Sequence, residues 1–216
     1  MKKKILIVLL ILIFLYCLGG VMYSVLVKPE DNKSIENILK INNYHYQINQ
    51  SEVNSLYKRE FKNLKANLEN SDIDYDEYVK SVAKLYIIDL YSLTDKQNKY
   101  DVTSSQYVYE PNQENFKLKV SETLYKYIKD NTNNDRDQEL PKVSEIFIND
   151  VVSSSYVIDN NEYDAYIINI SWVYGKDLGY DTTAKLTLVN INDLVSVVEE
   201  NRMDVIEDNT EPIKNS

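Results

Sequence analysis

Ala165-Tyr166-Ile167-Ile168-Asn169-Ile170-Ser171-Trp172-Val173-Tyr174 is the stretch on which the fold turns. Tyr166, Ile168, Ile170, Trp172 and Tyr174 form one set, and Ala165, Ile167, Asn169 and Ser171 the other. A period of two puts the larger apolar side chains on one face of a strand. The same alternation returns at Ala184, Leu186 and Leu188, set against Thr183, Lys185 and Thr187. Residues 143–158, 162–174, 180–191 and 194–200 therefore read as four strands. Asp159–Asn161 is a tight hairpin signal, Gly175–Gly179 a longer loop, and Asn192–Asp193 another short turn. Connections this short force antiparallel neighbours, so the four strands form a meander.

Upstream the period becomes helical. Val53, Tyr57, Phe61, Leu64 and Leu68 recur at spacings of three and four, with Ser51 placed to cap them. Asp72 and Asp74 favour the start of a second helix that runs to Asp95. Its apolar residues lie all round it, which predicts a central helix covered on two sides. A third helix fits Asn112–Asn131, with Phe116, Val120, Leu124 and Tyr127/Ile128 on one face. Pro111 and Pro141 stand before this helix and before the first strand. Helices followed by a meander make an α+β domain with about three helices on one face of a curved four-stranded antiparallel sheet.

The chain begins differently. Lys2, Lys3 and Lys4 precede an uncharged apolar run from Ile5 to Val27. A helix over that run reaches roughly 34 Å, enough for the hydrocarbon core of about 30 Å. A cleaved secretory signal has a shorter apolar region ending in a small-x-small site, and Gly19 and Gly20 are followed by further apolar residues. Cys17 follows Tyr16, a poor lipidation context. The positive-inside rule then keeps the N-terminus in the cytoplasm and exports the rest. The expected organisation is 1–4 cytoplasmic, 5–27 transmembrane, 28–49 juxtamembrane tether, 50–200 extracytoplasmic domain and 201–216 polar tail. The excess of Asn, Lys, Ile and Tyr fits an AT-rich bacterial genome, hence a cell-envelope location.

The 216 residues carry a formal net charge of −10, which argues against nucleic acid as a partner. One cysteine and one histidine exclude an internal disulfide, cysteine zinc cages and sites built on two imidazoles. Four glycines leave no phosphate-cradling loop. Nothing calls for a cofactor.

Asp89, inside the central helix, is the most informative polar residue. Desolvated and unpaired, it would suit acid–base work; hydrogen-bonded to a tyrosine or paired with a lysine, it is structural. With Tyr86 and Trp172 it is a candidate for lining a ligand pocket. His45 stands between Tyr44 and Tyr46 without a nucleophile motif, and reads as an exposed or interface residue. Asp135, Asp137 and Glu139 beside Arg136 resemble part of a calcium loop but lack its glycine and terminal glutamate, so they read as a solvated loop. Asn169-Ile170-Ser171 matches a glycosylation sequon inside a strand. Of the 19 tyrosines, Tyr57, Tyr78 and Tyr127 sit at core spacing. Tyr107, Tyr109, Tyr163 and Tyr180 are candidates for an interaction surface.

The order of anchor, tether, helices including Asp74–Asp95, and meander from Val143 to Glu200 resembles the cone-shaped nuclear-transport-factor-like superfamily. Among anchored members it resembles the bitopic scaffold component of type IV secretion and conjugation machines. Lys84-Leu85-Tyr86-Ile87-Ile88-Asp89-Leu90-Tyr91-Ser92-Leu93 and Leu124-Tyr125-Lys126-Tyr127-Ile128 are similar to segments of single-pass proteins of Gram-positive bacteria. The resemblance implies a tethered extracytoplasmic domain that binds protein partners or its own copies in a conjugation or other envelope complex. The alternative is a small-ligand-binding domain or an enzyme using the interior of the cone.

Overall fold

Asn54, not Ser51, starts the first helix. The computed structural model describes residues 38–202. The chain divides into Met1–Ile38 and Leu39–Ser216, and the fold below belongs to the second unit. The expected membrane span, 5–27, and most of the polar tail lie outside the described residues. Among the described residues no helix is long and apolar enough to cross a membrane.

The Asn54 side chain accepts from the Tyr57 amide at 2.8 Å, satisfying a donor that the first turn leaves free. Its own Nδ2 donates to Ser92 and Asp95, which ties the start of this helix to the end of the next. Helix α1 (Ser55–Leu68) buries Leu56, Tyr57, Phe61, Leu64 and Leu68, the face expected from the spacing. Asn54→Ala should cost about 1–2 kcal/mol, because it removes a cap and strands polar partners. A lowered midpoint of urea unfolding at unchanged slope checks this; a midpoint equal to wild type would refute it.

Helix α2 (Tyr75–Tyr91) starts at Asp74, whose carboxylate accepts from the Glu77 amide. It buries residues on every side and packs against all four strands of the main sheet, as a central helix should. It stops four residues earlier than expected. At Ser92 the backbone leaves the helical region, and a 3-10 turn follows over Leu93–Asp95. Tertiary bonds hold it there: the Val143 amide donates to the Ser92 hydroxyl and the Thr94 amide to the Pro141 carbonyl.

Helix α3 (Gln113–Glu122) is also shorter than the 112–131 expected. Thr123 turns its hydroxyl back onto the Lys119 carbonyl and leaves helical geometry. The turn carries Tyr125 into the core, where its hydroxyl donates to the Leu90 carbonyl at 2.8 Å. Tyr127, read from its spacing as a core residue, is 77% exposed instead.

The sheet runs β3 (Val143–Ile158), β4 (Asn161–Tyr174), β5 (Thr183–Ile191) and β6 (Leu194–Arg202), antiparallel and in that spatial order. A smaller ribbon pairs β1 (Ile38–Lys40) with β2 (Gln47–Asn49). Both two-residue hairpin turns, Asp159–Asn160 and Asn192–Asp193, have positive φ at both positions, which Asn and Asp tolerate best among residues with a side chain. The inner face carries Ile168, Ile170, Trp172, Ala184, Leu186 and Leu188, all buried. This is the α+β fold with three helices and a four-stranded antiparallel sheet. The third strand starts at Thr183 rather than 180.

Residues 28–49 read as a tether, yet Ile41, Tyr46 and Ile48 belong to the core. The Tyr46 hydroxyl donates to the Val195 carbonyl at 2.7 Å and lies 3.1 Å from that of Tyr78. Tyr107, expected at a surface, is fully buried, with its hydroxyl 2.7 Å from that of Tyr57. A phenol buries its ring and still needs a partner for its hydroxyl, and this core supplies other phenols.

Candidate functional site

The sequence brought Asp89, Tyr86 and Trp172 together as one pocket; in the structure Tyr86 lines a recess that Asp89 and Trp172 do not border. Asp89 is buried near the end of α2. One of its oxygens, Oδ1, is ion-paired with the buried Lys96 and accepts from Thr103 at 2.9 Å. Lys96 also donates to Thr103, and its backbone carbonyl accepts from Arg136 at 2.8 Å. Among the described residues the other oxygen, Oδ2, and the buried Ser104 hydroxyl have no hydrogen-bond partner. Burial first, and then the Asp89 charge, hold the hydroxyls of Tyr57 and Tyr125 well above the usual phenol range. Asp89 is thus a sequestered, lysine-paired ion, the structural alternative stated for it.

Trp172 lies in the core with its ring 4.6 Å from that of Tyr91, and among the described residues its indole nitrogen has no hydrogen-bond partner. Tyr86 is the member of the trio that reaches an opening. A recess of about 380 Å³ lies between α2, α3 and β6. Tyr86, Tyr91, Phe116, Val120 and Leu124 form much of its wall, and Glu199 and Glu200 border it on β6. The Tyr86 and Tyr91 hydroxyls each donate to one oxygen of Glu200, both at 2.6 Å. Burial, followed by the Glu200 charge, holds the Tyr86 hydroxyl well above the usual phenol range, so it stays a donor.

Glu200 was not among the expected site residues, and strict alternation along β6 would have turned it outward. Leu188 pairs with Val197 and Leu186 with Glu200, so one extra residue sits on β6 between these inward pairs. This bulge reverses the alternation. Glu200 then faces the helices, and Glu199 lies opposite the outward Thr187. A bulge of this kind leaves no mark in residue spacing.

The surface candidates are spread out. Tyr109, Tyr163 and Tyr180 are half-buried. Tyr109 lines a second hollow, of about 650 Å³, together with Tyr44, His45 and Leu194. His45 is exposed, with Nε2 2.7 Å from the Gln106 carbonyl. Tyr180 packs edge-on to Tyr174. The acidic loop is cross-braced: Asp137 pairs with Lys129, Glu139 with Lys176, and Arg136 donates to the carbonyls of Thr94 and Lys96. The Lys129 ammonium holds the Asp137 carboxyl below its ordinary range. Among the described residues no group of three His, Cys, Asp or Glu side chains could hold a metal ion.

Comparison with family models, curated proteins and solved structures returns no match.

Proposed function

We propose that the chain is a membrane-tethered extracytoplasmic domain that binds a protein partner by strand addition. Residues 5–27 would be the anchor, with the N-terminus in the cytoplasm. The fold would be a variant of the nuclear-transport-factor-like cone, serving as a scaffold in a conjugation or other envelope complex.

One observation carries this reading. Strand β3 is an edge of the sheet, and among the described residues it has a strand neighbour on one side only. Natural edges are blunted by lysines, prolines, inward charges or bulges. The first half of β3 has such devices, with Glu145, Asp150 and an extra residue at Asn149. From Val151 to Ile158 there is no charge, no proline and no register shift. Val152 and Val157 are exposed on this segment. The tip of the hairpin is held in place, because the Tyr156 hydroxyl donates at 2.9 Å to Glu199 on the opposite edge strand. An unblunted edge is a template for an extended peptide, which would gain main-chain hydrogen bonds there.

The test is a photocrosslinker at Val157 in the full chain in native membranes, with and without Ser154→Lys. Both positions are exposed, so stability should change by no more than about 0.5 kcal/mol. A discrete adduct with a different chain, abolished by the lysine, is expected. An adduct of two copies of this chain would replace the partner reading with self-association. Absence of an adduct, or one that the lysine leaves untouched, would refute strand addition.

A further inference from the structure

We infer that the recess between α2, α3 and β6 binds a small organic cation, an alkyl- or arylammonium. This stands apart from strand addition at β3, which lies on the opposite edge of the sheet.

The buried acids elsewhere have basic partners: Asp89 has Lys96, and Glu60 has Arg59 and Lys84. Glu200 differs. It is half-buried, and its partners are the two phenols of Tyr86 and Tyr91. Among the described residues no ion pair involves it. Phenols orient a carboxylate without neutralising it. Each carboxylate oxygen accepts one phenol and keeps a second lone pair. The result is a fixed negative charge with unused acceptor capacity on the wall of an open recess.

The rest of the lining selects the kind of cation. Tyr86 and Phe116 lie with ring centroids 5.9 Å apart, and Val120 and Leu124 continue the apolar wall. A metal ion would want several oxygen ligands; of the two acids that border the recess, Glu199 lies opposite the outward Thr187 and accepts from Tyr156, which leaves Glu200 with the two phenols. An ammonium with a hydrocarbon body fits better, its charge on Glu200 and its body against the rings. Lys119 also lines the recess, but it is exposed. Its flexible, strongly hydrated side chain can swing into water as a cation enters.

The test uses the full chain in detergent and isothermal titration calorimetry with two probes of matched shape, 2-phenylethylamine and the neutral 2-phenylethanol. The amine should bind saturably and at least about tenfold more tightly than the alcohol, the scale of a charge-assisted hydrogen bond. Glu200→Gln should reduce amine binding by about the same factor and leave the alcohol unchanged. Equal binding of the two probes, no saturable heat with the amine, or undiminished amine binding to a folded Glu200→Gln would overturn the proposal. Should that variant fail to fold by circular dichroism, the two probes on the wild-type chain decide alone.

Discussion

Raising the pH to about 11 unfolds this domain in one cooperative step, driven by its buried phenols. Burial is the first cause that holds Tyr46, Tyr57, Tyr78, Tyr86, Tyr107 and Tyr125 above the ordinary phenol range. In the unfolded chain each ionises near 10. The sign follows from proton counts. Above that value the unfolded chain holds fewer protons than the native one, so stability falls as pH rises. Below it both states are protonated and the contribution is fully present. At pH 11 each phenol that stays neutral only in the native state costs about 1.4 kcal/mol of stability. Six together cost roughly 8 kcal/mol, comparable with the usual total of about 5–15. Tyrosinate absorbance from these six should therefore rise together with loss of far-ultraviolet dichroism. A phenol titration that runs to completion while the dichroism stays native would show that the six are not sealed.

Lys96→Met should destabilise the domain by about 3–5 kcal/mol, the scale for stranding one member of a buried ion pair. It leaves the Asp89 carboxylate in the core with Thr103 on Oδ1 and nothing on Oδ2. Adding Asp89→Leu removes the stranded charge. The double variant should then recover most of the loss, since a buried pair is often no better than apolar residues of similar volume. In urea the midpoint of the single variant should fall by roughly 2 M at unchanged slope, and that of the double variant should return toward wild type. The cycle also measures what Asp89 does. A single variant as stable as wild type would mean that the pair is not buried in solution. Equal losses in single and double variants would mean that the site requires charge.

Several features of this fold were legible because they depend on local pattern. The four-strand meander needed only a period of two and Asn/Asp turns, and the two-residue turns fall within Asp159–Asn161 and at Asn192–Asp193, where the turn signals stood. The central helix showed in an apolar surface that ran all round it. Helix ends were less legible. Asp95 and Asn131 continue a good helical pattern, but Ser92 is drawn out by bonds to Val143 and Asn54, and the turn at Thr123 carries Tyr125 inward. Those contacts join residues more than thirty positions apart, so no local window contains them. Tyr107 and Tyr127 exchanged places for a related reason. A tyrosine is equally at home in a core or on a surface, and what decides is whether a partner for its hydroxyl lies within reach. Tyr107 meets Tyr57 across the core, and Tyr127 follows a turn that points it outward.

The sequence by itself determined the class of this domain: helices first, a four-stranded antiparallel meander after, an acidic surface and a buried Asp89. Which acid faces an opening was decided by tertiary structure alone. Asp89, the acid that composition and position singled out, is consumed by Lys96, a pairing between a helix and the turn beyond it. Glu200, at the end of a strand, is turned inward because the pairing with β5 slips by one residue between Leu188 and Leu186. Strand periodicity has only two faces, so a single extra residue sends everything beyond it to the other side, and register is a property of two strands rather than one.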